Sequence, residues 1–191
     1  MRHLPNVLTL FRLLSAPVLA ALLCGQGAAW QAWAAFALFA VAALTDHLDG
    51  FLARRLRAES AWGRQLDPMA DKLLIAAGLL GLAVPGMLGG VHLVPVGVIL
   101  IREVLICGVR EWLALRSAEL PVTPLARLKT TAQAASVGLL LIAPLTDGMA
   151  PSVFAAGLGA LWAAAALTLY TGALYLRRTR GLLRRSVGQV S

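Results

Sequence analysis

The stretch Thr45–Lys72, "TDHLDGFLARRLRAESAWGRQLDPMADK", decides how the rest of the chain is read. It holds five of the chain's nine carboxylates and five of its seventeen Lys and Arg residues, yet apolar runs lie on both sides of it. The chain as a whole is 59% hydrophobic and 14% charged. A water-soluble domain has about a quarter of its residues charged. This composition argues against an ordinary water-soluble fold and predicts an all-α integral membrane protein. No linker, repeat or low-complexity tract divides residues 1–191, so one membrane-embedded domain is expected.

Apolar runs of roughly twenty residues are long enough to cross a bilayer as helices. Six are expected, over Leu4–Cys24, Trp30–Phe51, Leu66–Val84, Leu93–Leu115, Leu128–Leu145 and Val153–Leu176. Alternate connections, "GQGAAW", "PGMLGGVH" and "PLTDGMAP", are punctuated by Gly and Pro and contain no Lys or Arg. The N-terminus, Arg54–Arg64, Arg110–Lys129 and the tail "RRTRGLLRR" carry nearly all the basic charge. An even number of spans puts both termini on one side, and the enrichment of cytoplasmic loops in Lys and Arg makes that side the cytoplasm. The net charge of +8 therefore reports orientation in a membrane, and no nucleic-acid partner is expected. The tail is expected against anionic headgroups. "MRHLPNVLTLFRLL" has Arg12 within its apolar run and no small-residue cleavage site, so it reads as a retained first helix. Cys24 and Cys107 read as small hydrophobes.

Asp46 and Asp49 are three residues apart at the end of the second span, and Asp67 and Asp71 are four apart at the start of the third. Both spacings put side chains on one helical face, so two neighbouring helices can aim four carboxylates at one volume. Four anions so placed must protonate or take up cations. Oxygen ligands in this number suit Mg2+, Mn2+ or Ca2+ better than zinc. Two such ions about 4 Å apart suit chemistry on a phosphate or pyrophosphate. Gly50 and Ala53 leave room for a ligand, Arg54 offers a planar fork to phosphate oxygens, Gly63 suits a loop turning over the site, and Pro68 suits the first turn of the third helix. A lone Asp at such a place is more often a helix-flanking residue, but four at these spacings are not explained that way.

The pattern Asp46-x2-Asp49-Gly50-x2-Ala53-Arg54-x8-Gly63-x3-Asp67-x3-Asp71 resembles the complete signature of the CDP-alcohol phosphatidyltransferases, eight fixed positions without a departure. "PNVLTLFRLL", "DPMADKLL", "IREVLICGVREWLA" and "ARLKTTAQ" further resemble the branch that forms phosphatidylglycerophosphate. The likeness runs as far as Gln133, and the last helix carries little of it. It implies a six-helix bundle in the bacterial inner membrane with a cytoplasmic-face active site, two divalent cations (Mg2+ or Mn2+) and a homodimer. The implied reaction joins CDP-diacylglycerol to glycerol 3-phosphate, giving phosphatidylglycerophosphate and CMP.

By that resemblance Asp46, Asp49 and Asp67 are metal ligands, and Asp71 is a ligand, the general base or both. Gly50, Ala53, Arg54 and Gly63, with Asn6, Thr9 and Arg12 of the first helix, are expected around the CDP-diacylglycerol. The acceptor's phosphate needs fixed positive charge, expected from Arg102, Arg110, Arg127 and Lys129. Positive-inside flanking equally accounts for Arg110, Arg127 and Lys129, whereas Arg102 lies deep enough to need a partner. Glu103 follows Arg102 but points elsewhere around the helix, so adjacency alone does not make it that partner. Lys72 reads as charge balance, His47 as a tolerated interfacial residue, and the Trp residues as interfacial or packing groups. Within the family, a cardiolipin synthase or a phosphatidylinositol phosphate synthase would share donor and metals, and "REVLICGVREW" with "LKTTAQ" favours glycerol 3-phosphate. A divalent cation transporter is the alternative of another class. It accounts for neither the Gly, Ala and Arg spacings nor the place of the acids at a membrane edge.

Overall fold

The computed structural model describes the backbone of residues 4–25, 28–56, 61–84, 87–115 and 124–187, with side chains except at 4–6, 46–56, 61–65, 67–68, 124 and 180–187. Six α-helices follow one another: α1 (Leu4–Cys24), α2 (Ala29–Leu56), α3 (Ala61–Ala83), α4 (Leu93–Ala114), α5 (Pro124–Ile142) and α6 (Ala150–Val187). Short 3-10 turns at Gly90–His92 and Ala143–Leu145 lead into α4 and out of α5, and no strand occurs among the described residues.

Chain surrounded by lipid can satisfy its backbone polar groups only internally, and a helix does so within one segment. The outward faces match such a solvent. On α1, Leu10, Leu14 and Val18 recur every fourth residue and are at least half exposed, while Arg12, Ser15 and Leu19 turn inward. Val7–Cys24, Gly90–Ala114, Leu125–Leu145 and Ala150–Thr179 are long and apolar enough to cross a membrane, and Ala29–Thr45 is apolar but shorter. The chain is thus an all-helical membrane protein. Of the six expected spans, four meet that standard among the described residues. The first half of α3 bears Arg64, Asp67, Asp71 and Lys72, which dilutes its apolar character.

Helix directions follow from the contacts. α1 packs beside α3 with Arg12 against Asp71, Leu19 against Gly78 and Leu23 against Gly81, so the two run parallel. α4 and α6 are also parallel, joined at His92–Trp162 and Arg102–Thr171. α5 is antiparallel to α6, with Gln133 against Thr168 and Leu140 against Gly157. Leu19, Phe39, Leu79, Ile99, Val137, Leu140 and Leu161 meet in one apolar core. The buried ionisable groups Arg12, Arg102 and Lys129 belong to α1, α4 and α5.

Four helices outrun the sequence expectation, among them α5, which starts at Pro124 ahead of Leu128 and ends at Ile142. α2 continues past Phe51 to Leu56, α3 starts at Ala61 ahead of Leu66, and α6 runs past Leu176 to Val187 through most of the basic tail. Hydropathy marks where lipid ends, whereas the added residues, rich in Leu, Ala, Arg and Gln, favour continued helix. In consequence Asp46 to Arg54 lie on one helix. Gly63, expected in a loop, lies in the first turn of α3, and Pro68, expected in that first turn, lies beyond it. At the two turns that precede α4 and α6, Gly90 (φ 56°) and Gly148 (φ 71°) take left-handed backbone conformations that side chains disfavour.

The α1–α3 contact is close because Gly81 carries no side chain: a Cβ there would lie 2.6 Å from Leu23 Cδ1 and 2.8 Å from Leu23 Cβ. Overpacking of this kind costs about 1–3 kcal/mol. Gly81→Val is expected to lower the thermal midpoint of the detergent-solubilised protein by roughly 5 °C. Gly97→Val, where a Cβ meets nothing within 4 Å, serves as the control and is expected to change it little.

Candidate functional site

Three ionisable side chains on α1, α4 and α5 are at most 8% exposed: Arg12 at 0%, Lys129 at 5% and Arg102 at 8%. A buried cation in an apolar bundle is tolerable only with a partner. Arg12 finds one on α3, where its Nη1 donates to Oδ1 of Asp71. Thr9, one turn before Arg12, is also buried. The ion pair thus ties the first helix to the last acid of the quartet.

Arg102 and Lys129 share Glu103. Lys129 Nζ donates to Glu103 Oε1, Arg102 Nη1 donates to the same oxygen at 3.2 Å, and Gln133 Nε2 approaches it at 3.4 Å. Gln133 Nε2 also donates to Thr168 Oγ1 at 3.2 Å, and Arg102 Nη2 donates to Thr171 Oγ1 at 3.0 Å. The Thr171 hydroxyl in turn lies 2.8 Å from the Leu167 carbonyl, its own helical acceptor. The Arg102 guanidinium sits 5.8 Å from the centre of the Tyr175 ring, within cation–π range. Gly172 lets α6 come this near, since a Cβ there would stand 3.3 Å from Arg102 Cγ. Glu103 is therefore a partner of Arg102, a pairing that adjacency in sequence left open. The two residues diverge around the helix, but the long guanidinium arm folds back far enough to meet the carboxylate.

These groups line one cavity of about 970 Å³ bounded by α3, α4 and α5, with Tyr175 of α6. Among the described residues its charged wall comprises Lys72, Arg102, Arg110, Arg127 and Lys129 against Asp71 and Glu103, five cations and two carboxylates. Such an excess suits an anionic ligand. Leu73, Ile75, Ala76, Ile99, Leu100 and Val104 supply apolar lining, so the same space offers charge and a greasy surface.

Of the residues singled out in the sequence, the structure brings Asp71, Arg102, Arg110, Arg127 and Lys129 to this cavity. Arg110 and Arg127 are exposed, as flanking cations are, but Lys129 is buried and ion-paired, which flanking does not explain. Thr9 and Arg12 face the bundle interior, and Arg12 reaches the cavity wall through Asp71. Asp46, Asp49, Gly50, Ala53 and Arg54 belong to α2, Gly63 and Asp67 to α3 and Asn6 to α1. Their side chains lie outside the described residues. Asp71 is thus the one member of the quartet whose contacts are described. As a donor set, four carboxylates in the C-terminal half of α2 and the N-terminal half of α3 fit hard divalent cations.

Sequence reasoning missed Gln133, Thr168, Thr171 and Tyr175 and gave Glu103 no role at the site. A weak signal was present. Lys129 and Gln133 are four apart on α5, and Thr168, Thr171 and Tyr175 recur at helical spacing along α6. Polar groups on one face of an apolar helix seek partners inside the bundle.

Comparison with known proteins bears on the chemistry. Residues 2–170 match the family model described as CDP-alcohol phosphatidyltransferase. A protein of Cereibacter sphaeroides named CDP-diacylglycerol–glycerol-3-phosphate 3-phosphatidyltransferase is 34% identical over 214 aligned positions, covering 95% of this chain and 97% of its own. Proteins with the same name from Rickettsia typhi and Salmonella choleraesuis are 35% and 33% identical, over 93% and 94% of this chain and 97% and 96% of theirs.

The polar bonds to α6 make a direct test. Thr171→Val keeps the shape but leaves a buried Arg102 N–H without that acceptor, a loss of about 1–3 kcal/mol. A lower thermal midpoint is expected for it. Thr179→Val, where the hydroxyl bonds only its own helix at the Tyr175 carbonyl, is expected to change the midpoint by less than half as much.

Proposed function

The chain belongs to the CDP-alcohol phosphatidyltransferase family, and from that premise we propose that it transfers a phosphatidyl group from CDP-diacylglycerol to glycerol 3-phosphate, releasing CMP. The observation that carries this reading is the shared cavity. Asp71, the last acid of the complete family signature, lines it together with Arg102, Arg110, Arg127 and Lys129. The relatives' names supply the acceptor. In this reading the cationic wall receives the phosphate of glycerol 3-phosphate, with Arg102 and Lys129 as the fixed, buried contacts and Arg110 and Arg127 as exposed ones.

Asp46, Asp49, Asp67 and Asp71 would hold two divalent cations, Mg2+ or Mn2+, which when bound would supply electrostatic stabilisation of the pyrophosphate. Gly50, Ala53, Arg54 and Gly63, with Asn6 and Thr9, make room for and bind the CDP-diacylglycerol. Arg12 contributes by fixing one oxygen of Asp71. Asp71 takes the proton from the acceptor hydroxyl as that oxygen bonds to the phosphorus bearing diacylglycerol, and the bond from that phosphorus to the CMP oxygen breaks. Leu73 and Val104 of the cavity wall are exposed apolar residues on the bundle's surface, which suits a diacylglycerol moiety that stays in the membrane while its headgroup reacts. The same reading includes six spans, both termini and the reacting end of the bundle at the cytoplasmic face of a bacterial inner membrane, and a homodimer.

Purified protein given CDP-diacylglycerol and Mg2+ or Mn2+ is expected to release CMP with glycerol 3-phosphate alone among candidate acceptors, measured by nucleotide chromatography. CMP release only with phosphatidylglycerol or inositol phosphate would assign it to another branch of the family. Release with none of them would overturn the reading.

A further inference from the structure

The cationic wall of the cavity contains one carboxylate that the proposed reaction does not use. Glu103 takes no part in the aspartate quartet, yet its Oε1 is the meeting point of Lys129 Nζ, Arg102 Nη1 at 3.2 Å and Gln133 Nε2 at 3.4 Å. These donors come from α4 and α5, and two of them are tied onward to α6 through Thr171 and Thr168. We propose that Glu103 is a positioning residue for the acceptor: it sets the places of Lys129 and Arg102 so that they present a preformed pair of cations to the acceptor's phosphate. The inference rests on the proposed reaction, since it assigns Glu103 to the acceptor side of that chemistry.

The physical argument runs through burial and reach. Lys129 is 5% exposed and Gln133 3%, so neither side chain is held by water. A lysine carries a point charge on a flexible four-carbon stem, and its direction is set only by what it bonds. In the structure that partner is Glu103. Two cations brought close in an apolar bundle also repel each other, and a shared carboxylate lets both stay at one wall. Binding is then cheaper, because the contacts are ordered before the acceptor arrives. Arg110 and Arg127, exposed at the same cavity, have no such constraint in their burial.

A brace made by the same ion pair would also give non-additive effects, but only a role carried through Lys129 to the acceptor confines them to the acceptor KM. CMP release is measured with full-length wild type, Glu103→Gln, Lys129→Gln and the double variant, varying glycerol 3-phosphate and CDP-diacylglycerol in turn. Glu103→Gln is expected to raise the acceptor KM about tenfold while shifting kcat and the donor KM less than about threefold. The double variant is expected to match Lys129→Gln in acceptor KM within about twofold. Multiplying single effects, or a fall in kcat with an unchanged acceptor KM, would overturn the proposal. Should Glu103→Gln not be recovered folded, Glu103→Asp draws the charge back by one methylene. It is expected to raise the acceptor KM severalfold in wild type but not in the Lys129→Gln background, and an equal rise in both would count against positioning. CMP release by wild type on a different acceptor would refute the proposed reaction separately, and the same four proteins assayed on that acceptor would still decide the role of Glu103.

Discussion

A charge inside an apolar bundle has to meet an opposite charge, and this constraint organises the described part of the molecule. Arg12 meets Asp71 across α1 and α3, and Arg102 and Lys129 meet Glu103 across α4 and α5. Breaking a buried pair by removing one partner costs about 3–5 kcal/mol, far more than a typical surface ion pair contributes. Each pair therefore does two things. Arg12–Asp71 joins α1 to α3 and Lys129–Glu103 joins α5 to α4, and each pair fixes where a charged atom stands at the wall of the cavity.

The remaining fold makes that placement rigid. Gly78 and Gly81 let α3 lie close to its neighbours, so Asp71 sits on a helix packed on α1 over several turns. Gly157 does the same for α5 and α6 against Leu140. In lipid, close approach of small residues substitutes for the hydrophobic drive that holds soluble helices together. α6 contributes polar side chains as well as bulk, because Thr168, Thr171 and Tyr175 all face the α4–α5 network. The division of labour proposed for the chain follows from this frame. In that proposal α2 and α3 supply carboxylates for metal and donor, and α4 and α5, buttressed by α6, supply cations for the acceptor.

Much of this was legible in the sequence. α1 spans the expected Leu4–Cys24, and α4 ends at Ala114, one residue before its expected limit. Uninterrupted apolar runs leave little choice of boundary. The ends of α2, α3 and α6 were less legible, because hydropathy falls when charge begins while helical hydrogen bonding continues. Arg102 was readable as a residue in need of a partner, and that partner, Glu103, was not. Which way a flexible side chain bends depends on neighbours from α5 and α6 that no local pattern reveals. Lys129 looked like a flanking cation for the same reason: its burial arises from packing between helices. Thr168 and Thr171 carry no charge, and on an apolar helix a threonine is as often bonded to its own backbone as to another helix.

The central claim is that the C-terminal half of α2 and the N-terminal half of α3 pool four aspartates into a seat for two hard cations beside the cationic cavity. The most direct measurement is Mn2+ titration of the purified protein with CDP-diacylglycerol present, followed by electron paramagnetic resonance. The account predicts two ions per chain with the magnetic coupling of a pair about 4 Å apart, and loss of that coupling in Asp49→Asn. A single ion, no ion, or two uncoupled ions in the wild-type protein would contradict it.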